Sequence, residues 1–266
     1  MDARAVALLA CPVCAQHLEL SPGVLRCPAG HSYDLARQGH VNLLGGAEPA
    51  NADTPAMLQA RGRVHASGLF DEVAEAVAAQ VRGSRLLEAG AGNGFYLARA
   101  LERRPEAVGI ALDVSKAAAR AAVRAHPRIG AVVADVWRNL PIRDRCLDTV
   151  LCVFAPRNLP EFRRVLEADG RLVVVLPNAG HLDGLRDRYG LLKVDADKAE
   201  QLTEAAAGLF EPVESVRISA ASQVDAERAL DLIAMGPNAF HRLPEVASEG
   251  EITVDVTLLS FRPLPT

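Results

Sequence analysis

A glycine-rich turn between a short apolar run and a helical pattern constrains this chain more than any other feature. The stretch from residue 85 to residue 96 reads RLLEAGAGNGFY, and its Leu86–Leu87 pair predicts a buried strand. Three closely spaced glycines then predict a tight turn, and helical spacing resumes at Phe95: Gly90, Gly92 and Gly94. This strand–turn–helix order is typical of the first unit of a doubly wound α/β domain, in which the glycines let a ligand approach the backbone.

Length and composition limit the class of protein. The chain has 266 residues, 50% of them hydrophobic, which is enough for one large domain or for a common-sized domain with a small module. The net charge of −4 argues against a protein that coats nucleic acid non-specifically. The first nine residues are too short for a leader, and the longest apolar runs are strand-sized. We therefore expect a cytoplasmic protein with no membrane partner.

The first 31 residues carry a metal-ligand pattern, Cys-x2-Cys-x12-Cys-x3-His, formed by Cys11, Cys14, Cys27 and His31. Each pair has the spacing of a tight turn that directs two ligands at one ion, and Pro22-Gly23 between them predicts a β-hairpin. Four N/S ligands with no spare position indicate a structural Zn²⁺ site. The alternative, reduced cysteines in a small core, does not explain two correctly spaced pairs.

A linker and two helices precede the glycine turn. The residues from 45 to 54 predict a linker or a partly mobile loop, after which Asp53 or Thr54 caps a helix with Pro55 in its first turn. That helix carries Arg61 and Arg63, for which a solvated helix face and a substrate contact are equally good interpretations. A second helix is expected over residues 70–81.

Carboxylates end the successive strands that follow the glycine turn. Asp113 ends the predicted second strand and can bind both ribose hydroxyls of an adenosine ligand, and Asp135 ends the third and can reach the adenine amino group. Further strands are expected over residues 149–154 and 171–176, with a helix between each pair of strands, which is the alternation of a mostly parallel sheet. Helix capping is the alternative role for both aspartates.

The turn favours S-adenosylmethionine over a dinucleotide. The dinucleotide fingerprint ends in Gly or Ala, which lets the helix receive a pyrophosphate, whereas this chain has the large Phe95 there. S-adenosylmethionine has no phosphate and tolerates this change. Glu88, two residues before the first glycine, could lie near the ammonium or sulfonium charge of that ligand.

With both halves considered, the chain resembles the RlmA family of 23S rRNA guanine-N1 methyltransferases, and more closely its actinobacterial branch associated with tylosin and mycinamicin resistance. The resemblance covers nearly the whole length. It rests on the Cys3His pattern and on these further segments: residues 33–44, 59–61, 112–116, 134–137, 153–158, 177–182 and 234–237.

The resemblance implies a class I, Rossmann-like methyltransferase with an N-terminal zinc-binding module. It divides the chain into an RNA-recognition module (1–46), a linker with helices (47–80) and an S-adenosylmethionine-dependent domain (81–266). It implies a homodimer with a groove for a 23S rRNA hairpin near the macrolide site. It also implies donor contacts at five positions: Phe70, Gly92, Asn93, Asp113 and His181. Glu88 stands where the family usually has Asp.

The acceptor chemistry is less defined by the sequence. Val153-Phe154-Ala155-Pro156 is not the Asn/Asp-Pro-Pro-aromatic loop that grips an exocyclic amine, which favours a ring nitrogen, and Phe154 is either a stacking or a core residue. No residue identifies itself as a general base. A loop with Asn238, Phe240, His241 and Arg242 either faces the substrate or covers the sheet end. Two other functions stay open: methylation of a small metabolite with the zinc module as a lid, and non-catalytic RNA binding.

Overall fold

A computed structural model describes residues 1–192, 194–240 and 244–265. The N-terminal part begins with a short helix and continues into a small antiparallel sheet and one further strand: α1 (Ala3–Val6), β1 (Glu19–Ser21), β2 (Val24–Arg26), β3 (Ser32–Asp34) and β4 (Val41–Asn42). The hairpin expected at Pro22-Gly23 is confirmed, because β1 pairs with β2 and Gly23 has a φ of 76°.

The remaining elements build the large α/β sheet. They are α2 (Pro55–Ala66), α3 (Asp71–Gln80), β5 (Arg85–Ala89), α4 (Phe95–Arg103), β6 (Val108–Asp113), α5 (Lys116–Ala125), β7 (Ile129–Val133), β8 (Leu147–Val153), α6 (Leu159–Val165), β9 (Leu166–Pro177), α7 (Asp183–Tyr189), α8 (Lys198–Ala206), β10 (Phe210–Val224), α9 (Ala226–Ala234) and β11 (Gly250–Pro263). Among the described helices, none combines the length and the apolar character that crossing a membrane requires.

In the described part of the chain, the large sheet has eight strands in the order β10-β11-β9-β8-β5-β6-β7-β4. Pairing from β4 across to β9 is parallel, and β11 and β10 complete the sheet as an antiparallel edge. The predicted doubly wound, mostly parallel sheet is thus confirmed. The strand order reverses around β5 and β8, so the turn after β5 lies at the edge where ligands bind in such folds.

Strand β4 ties the N-terminal residues to this sheet. Val41 and Asn42 pair in parallel with Val132 and Val133 of β7, and Leu9 forms an antiparallel bridge with Ile142. The buried side chains of residues 5–43 therefore share one core with the central strands. The division of the chain into a separate module (1–46), a linker (47–80) and a larger domain (81–266) stays a prediction.

One expectation about the helices was wrong. Residues 134–146, between β7 and β8, form turns and extended chain instead of a helix. Pro141 interrupts a helical hydrogen-bond pattern, and its carbonyl accepts the N–H of Ala10 at 3.0 Å. Leu140 and Ile142 are buried against the N-terminal residues. Pairing with those residues therefore holds this segment in an extended conformation and prevents a helix.

Candidate functional site

The glycine turn has the backbone that the sequence predicts. Gly90, Gly92 and Gly94 have φ values of 71°, 51° and 76°, a left-handed region in which a Cβ is strained. A Cβ at Gly90 would also lie 2.5 Å from the Cβ of Ala155, on the loop after β8. The turn therefore packs directly against the end of a neighbouring strand.

Asp113 joins this turn to the next helix. Its Oδ2 accepts the N–H of Gly92 at 2.8 Å and its Oδ1 accepts the N–H of Ser115 at 2.9 Å. Burial raises the pKa of Asp113, and these two N–H groups oppose that shift. A carboxylate has about four lone-pair positions, so each oxygen keeps one for the hydroxyls of a ribose. The location at the carboxyl end of β6 is the predicted one.

Glu88 lies under the turn. Its side chain is buried, and its Oε2 accepts the N–H of Leu97 in the first turn of α4 at 3.1 Å. Burial raises the pKa of Glu88 to about 8, which favours the neutral carboxyl group at pH 7. The structure thus gives Glu88 a role in holding α4 against β5, while its predicted contact with a ligand stays a prediction.

Asp135 lies two residues beyond the end of β7. Its Oδ1 accepts the N–H of Trp137 at 2.9 Å, and its Oδ2 lies 3.6 Å from Nε of Arg138. The carboxylate therefore stabilises its own turn, which resembles the capping alternative although no helix follows in this described segment. Its contact with an adenine also stays a prediction.

Three rings form an aromatic wall at the carboxyl edge: Phe70, Phe154 and His181. The Phe154 ring stacks on His181 with centroids 5.6 Å apart, and both rings meet Phe70 edge-on, at 6.0 and 6.2 Å. Phe154 is 39% exposed and has a φ of 53°. A bulky residue in this conformation is strained, and such strain is concentrated at functional sites.

The imidazole of His181 is neutral at pH 7. Burial lowers the pKa of His181 to about 4, and Nδ1 accepts the N–H of Asp255 at 3.3 Å. The ring proton is therefore assigned to Nε2, which makes that atom a hydrogen-bond donor.

Asn93 connects the turn to helix α2. Its Nδ2 lies 3.2 Å from Nδ1 of His65, and the His65 ring stacks on Phe95 with centroids 4.0 Å apart. Burial lowers the pKa of His65 to about 3, so this ring is also neutral and accepts the amide N–H. The side chain of Asn93 is thus already used within the protein.

The structure separates Arg61 from Arg63, which the sequence analysis could not assign to a solvated helix face or to a substrate contact. The Arg61 guanidinium lies over the turn, because a Cβ at Gly92 would be 2.5 Å from its Nη1 atom. Arg63 instead pairs with Asp231 of α9 at 2.5 Å. Helical spacing gave no means of separating the two arginines, because the difference depends on long-range packing. Of the undecided C-terminal loop, Asn238 accepts the N–H of Leu192 at 3.0 Å and Phe240 is 44% exposed, whereas His241 and Arg242 lie outside the described residues.

The N-terminal ligand set converges on one point. The ligand atoms of Cys11, Cys14, Cys27 and His31 all lie within 4.8 Å of one another. Sγ of Cys14 and Sγ of Cys27 are 3.7 Å apart, and Nδ1 of His31 is 3.3 Å from Sγ of Cys27 and 3.6 Å from Sγ of Cys11. Tetrahedral Zn²⁺ with bonds of about 2.3 Å to sulfur separates two thiolates by about 3.8 Å. The cluster fits a closed structural zinc site.

Comparison with known proteins matches both the zinc cluster and the α/β domain to known families. Residues 9–48 match the zinc-ribbon family described as RlmA, N-terminal, and residues 86–172 match a methyltransferase domain. A crystal structure of an S-adenosylmethionine-dependent methyltransferase from Aquifex aeolicus has the same fold, with a TM-score of 0.50 at 15% identity over 80% of this chain and 100% of that one.

Two relatives match along the full length. The 23S rRNA (guanine(748)-N(1))-methyltransferase of Streptomyces fradiae is 41% identical over 100% of both chains. A protein of Micromonospora griseorubida, provisionally named a 23S rRNA (guanine-N1) methyltransferase, is 44% identical over 96% of this chain and 97% of its own. The chain therefore belongs to the family of 23S rRNA (guanine-N1) methyltransferases that carry the RlmA-type N-terminal zinc ribbon.

Proposed function

We propose that this protein transfers a methyl group from S-adenosylmethionine to N1 of a guanine in a hairpin loop of 23S rRNA. The observation that carries the proposal is the site at the carboxyl edge, formed by Asp113, the glycine turn and the aromatic wall, in a chain that also carries a four-ligand zinc cluster. Full-length similarity to relatives named for this reaction supports the choice of substrate.

The residues present fit the methyl donor. The two unused lone pairs of Asp113 suit a ribose diol, and the left-handed glycines give the ligand access to the backbone. The partly exposed Phe154 ring and the neutral His181 that stacks on it suit a cationic sulfonium, because an aromatic ring attracts a cation over its face, and the buried Phe70 ring supports both edge-on. When bound, S-adenosylmethionine supplies an electrophilic methyl group. The other predicted contacts, at Glu88, Gly90, Asn93, Gly94 and Asp135, belong to the same proposal.

The acceptor guanine must leave any base pair, because N1 lies on its Watson–Crick edge. Phe154 offers a partly exposed ring at the strand end on which an unpaired base can stack. Neither His65 nor His181 is matched to remove the N1 proton, because burial lowers the pKa of His65 to about 3 and that of His181 to about 4. Either another group removes this proton, or the chain relies mainly on holding the two reactants in line.

An exposed tryptophan supports RNA binding at the same edge. Trp137 is 68% exposed, and its loop is held by the Asp135 carboxylate and by Nδ2 of Asn158, which donates to the carbonyl of Val136 at 2.9 Å. A large apolar ring on a fixed loop suits stacking on a nucleobase. In this proposal the zinc ribbon (1–46) belongs to the same RNA surface, the protein acts in the cytoplasm as a homodimer, and the target lies near the macrolide site.

Methylation of ribosomal RNA in vitro tests the proposed function. The protein is incubated with S-adenosylmethionine and protein-free 23S rRNA, and primer extension then locates blocked guanines. We expect one new donor-dependent stop, with N1-methylguanine found by nucleoside mass spectrometry. Transfer to small metabolites alone would favour the metabolite enzyme, and absence of donor binding would favour the non-catalytic RNA-binding protein.

Asp113→Asn should weaken donor binding about 10- to 150-fold, because it removes charge-assisted hydrogen bonds and turns an amide N–H toward another donor. Calorimetric titration with S-adenosylhomocysteine measures the loss. Asp135→Asn tests the predicted adenine contact in the same assay. We expect a smaller loss of donor affinity, because Asp135 already accepts the N–H of Trp137 in its own turn. Unchanged affinity in the Asp113 variant would contradict the assigned ribose site.

Cys14→Ser should abolish binding of about one zinc ion per chain, because a hydroxyl replaces one of four ligands in a closed site. Elemental analysis by mass spectrometry measures zinc, and thermal unfolding should show a lower midpoint. Cys146→Ser is the matched control, since Cys146 lies outside the cluster and its Sγ donates to the carbonyl of Arg143 at 3.1 Å, which a serine can also do. Full zinc content in the Cys14 variant would refute the assignment.

Trp137→Ala should weaken RNA binding about 5- to 150-fold, which corresponds to the loss of one stacked base. Filter binding with a 23S rRNA fragment measures this affinity, and donor affinity in the same protein should stay at the wild-type value. Trp137→Phe keeps a ring and should retain most of the RNA binding. Equal RNA affinity in the alanine variant and the wild type would exclude Trp137 from the RNA surface.

A further inference from the structure

Arg61 projects from helix α2 onto the glycine turn. Its Nη1 atom lies where a side chain at Gly92 would otherwise be, 2.5 Å from an ideal Cβ, and the Arg61 side chain is 21% exposed. A mostly desolvated guanidinium at a ligand-binding edge requires an anionic partner.

The present partner is a carboxylate from the segment before α2. Oδ2 of Asp53 accepts a hydrogen bond from Nη1 of Arg61 at 2.5 Å, and the carbonyl of Met235 accepts one from Nη2 of Arg61 at 2.6 Å. Arginine has five N–H donors. Two of them bind Asp53 and Met235, so among the described residues three are left to bind a further acceptor. Arg61 is therefore held in place without being saturated.

Asp53 itself belongs to a segment fixed across the start of α5. Its backbone carbonyl accepts the hydroxyl of Ser115 at 2.7 Å, and Oε1 of Glu48 accepts the N–H of Lys116 at 3.2 Å. Ser115 is also the residue whose N–H binds Asp113. The Asp53 carboxylate is also within electrostatic range of Asp113, because its charge adds to the rise in the pKa of Asp113 that burial causes.

The Arg61 charge reaches the acidic groups of the site. Burial raises the pKa of Asp113 and that of Glu88, and the Arg61 guanidinium opposes both shifts. Arg61 is therefore within electrostatic range of a ligand bound at Asp113 and the turn.

We propose that Arg61 binds the α-carboxylate of the methyl donor, and that the Asp53 carboxylate occupies this position in the donor-free protein. A donor with its ribose on Asp113 extends its amino-acid end along the turn, where an Arg fork matches a carboxylate with two hydrogen bonds. Exchange of one carboxylate for another keeps the guanidinium paired throughout. Asp53, 20% exposed in its side chain, moves toward water. This inference rests on the proposed donor.

Two ligands that differ only in the carboxylate test the assignment. Calorimetric titration compares S-adenosylmethionine with decarboxylated S-adenosylmethionine, without RNA. We expect the wild type to prefer the carboxylate form about 10- to 150-fold, the range for a charge-assisted hydrogen bond. Arg61→Met should remove this preference while it leaves the affinity for the decarboxylated form within about twofold.

Matched variants separate recognition from folding. Arg63→Met, two residues further along α2, should keep the preference because Arg63 pairs with Asp231. Asp53→Asn should bind S-adenosylmethionine several-fold more tightly than the wild type does, since it removes the competing carboxylate, a gain that loss of structure cannot produce.

The failures are distinguishable. If the wild type binds neither ligand, the proposed function is wrong. If it binds both ligands equally, or if Arg61→Met weakens both equally, only the role of Arg61 is overturned. Unchanged or weaker binding by Asp53→Asn overturns the exchange of carboxylates.

Discussion

One carboxylate holds the candidate site together. Asp113 accepts the N–H of Gly92 from the turn after β5 and the N–H of Ser115 at the start of α5, so two consecutive strand–helix units are joined at their ligand-binding ends. Arg61 lies over the turn at Gly92, and Ala155, which follows Phe154 of the aromatic wall, packs against the turn at Gly90. Because burial raises the pKa of Asp113, the junction costs free energy unless hydrogen bonds satisfy the carboxylate, and a ribose diol would add two more.

Much of this arrangement could be predicted from the sequence because it depends on local chemistry. Three glycines at alternate positions require left-handed backbone, and the Cys3His spacing places four ligands for one ion within residues 11–31. Asp113 could be placed because parallel strands present their carboxyl ends at one edge. The zinc ribbon and the first α/β unit were therefore both visible in short stretches of sequence.

The remainder depends on contacts between distant segments. The missing helix between β7 and β8 reflects competition from residues 8–10, which pair with the segment around Pro141. Arg61 and Arg63 are equivalent in a helical pattern, and only the positions of the turn and of α9 distinguish them. The role of Asp135 was also hard to predict. Its position after a strand suggests a ligand contact, but its carboxylate accepts the N–H of Trp137 in the following turn.

Photolabelling shows directly whether the methyl donor lies between the glycine turn and the aromatic wall. Irradiation of the protein with methyl-tritiated S-adenosylmethionine attaches the label to side chains near the methyl group, and peptide mapping then locates it. We expect labelled peptides that contain Phe70, Phe154 or His181, with the label suppressed by excess S-adenosylhomocysteine. Label confined to peptides away from the carboxyl edge of the sheet would contradict this location of the donor.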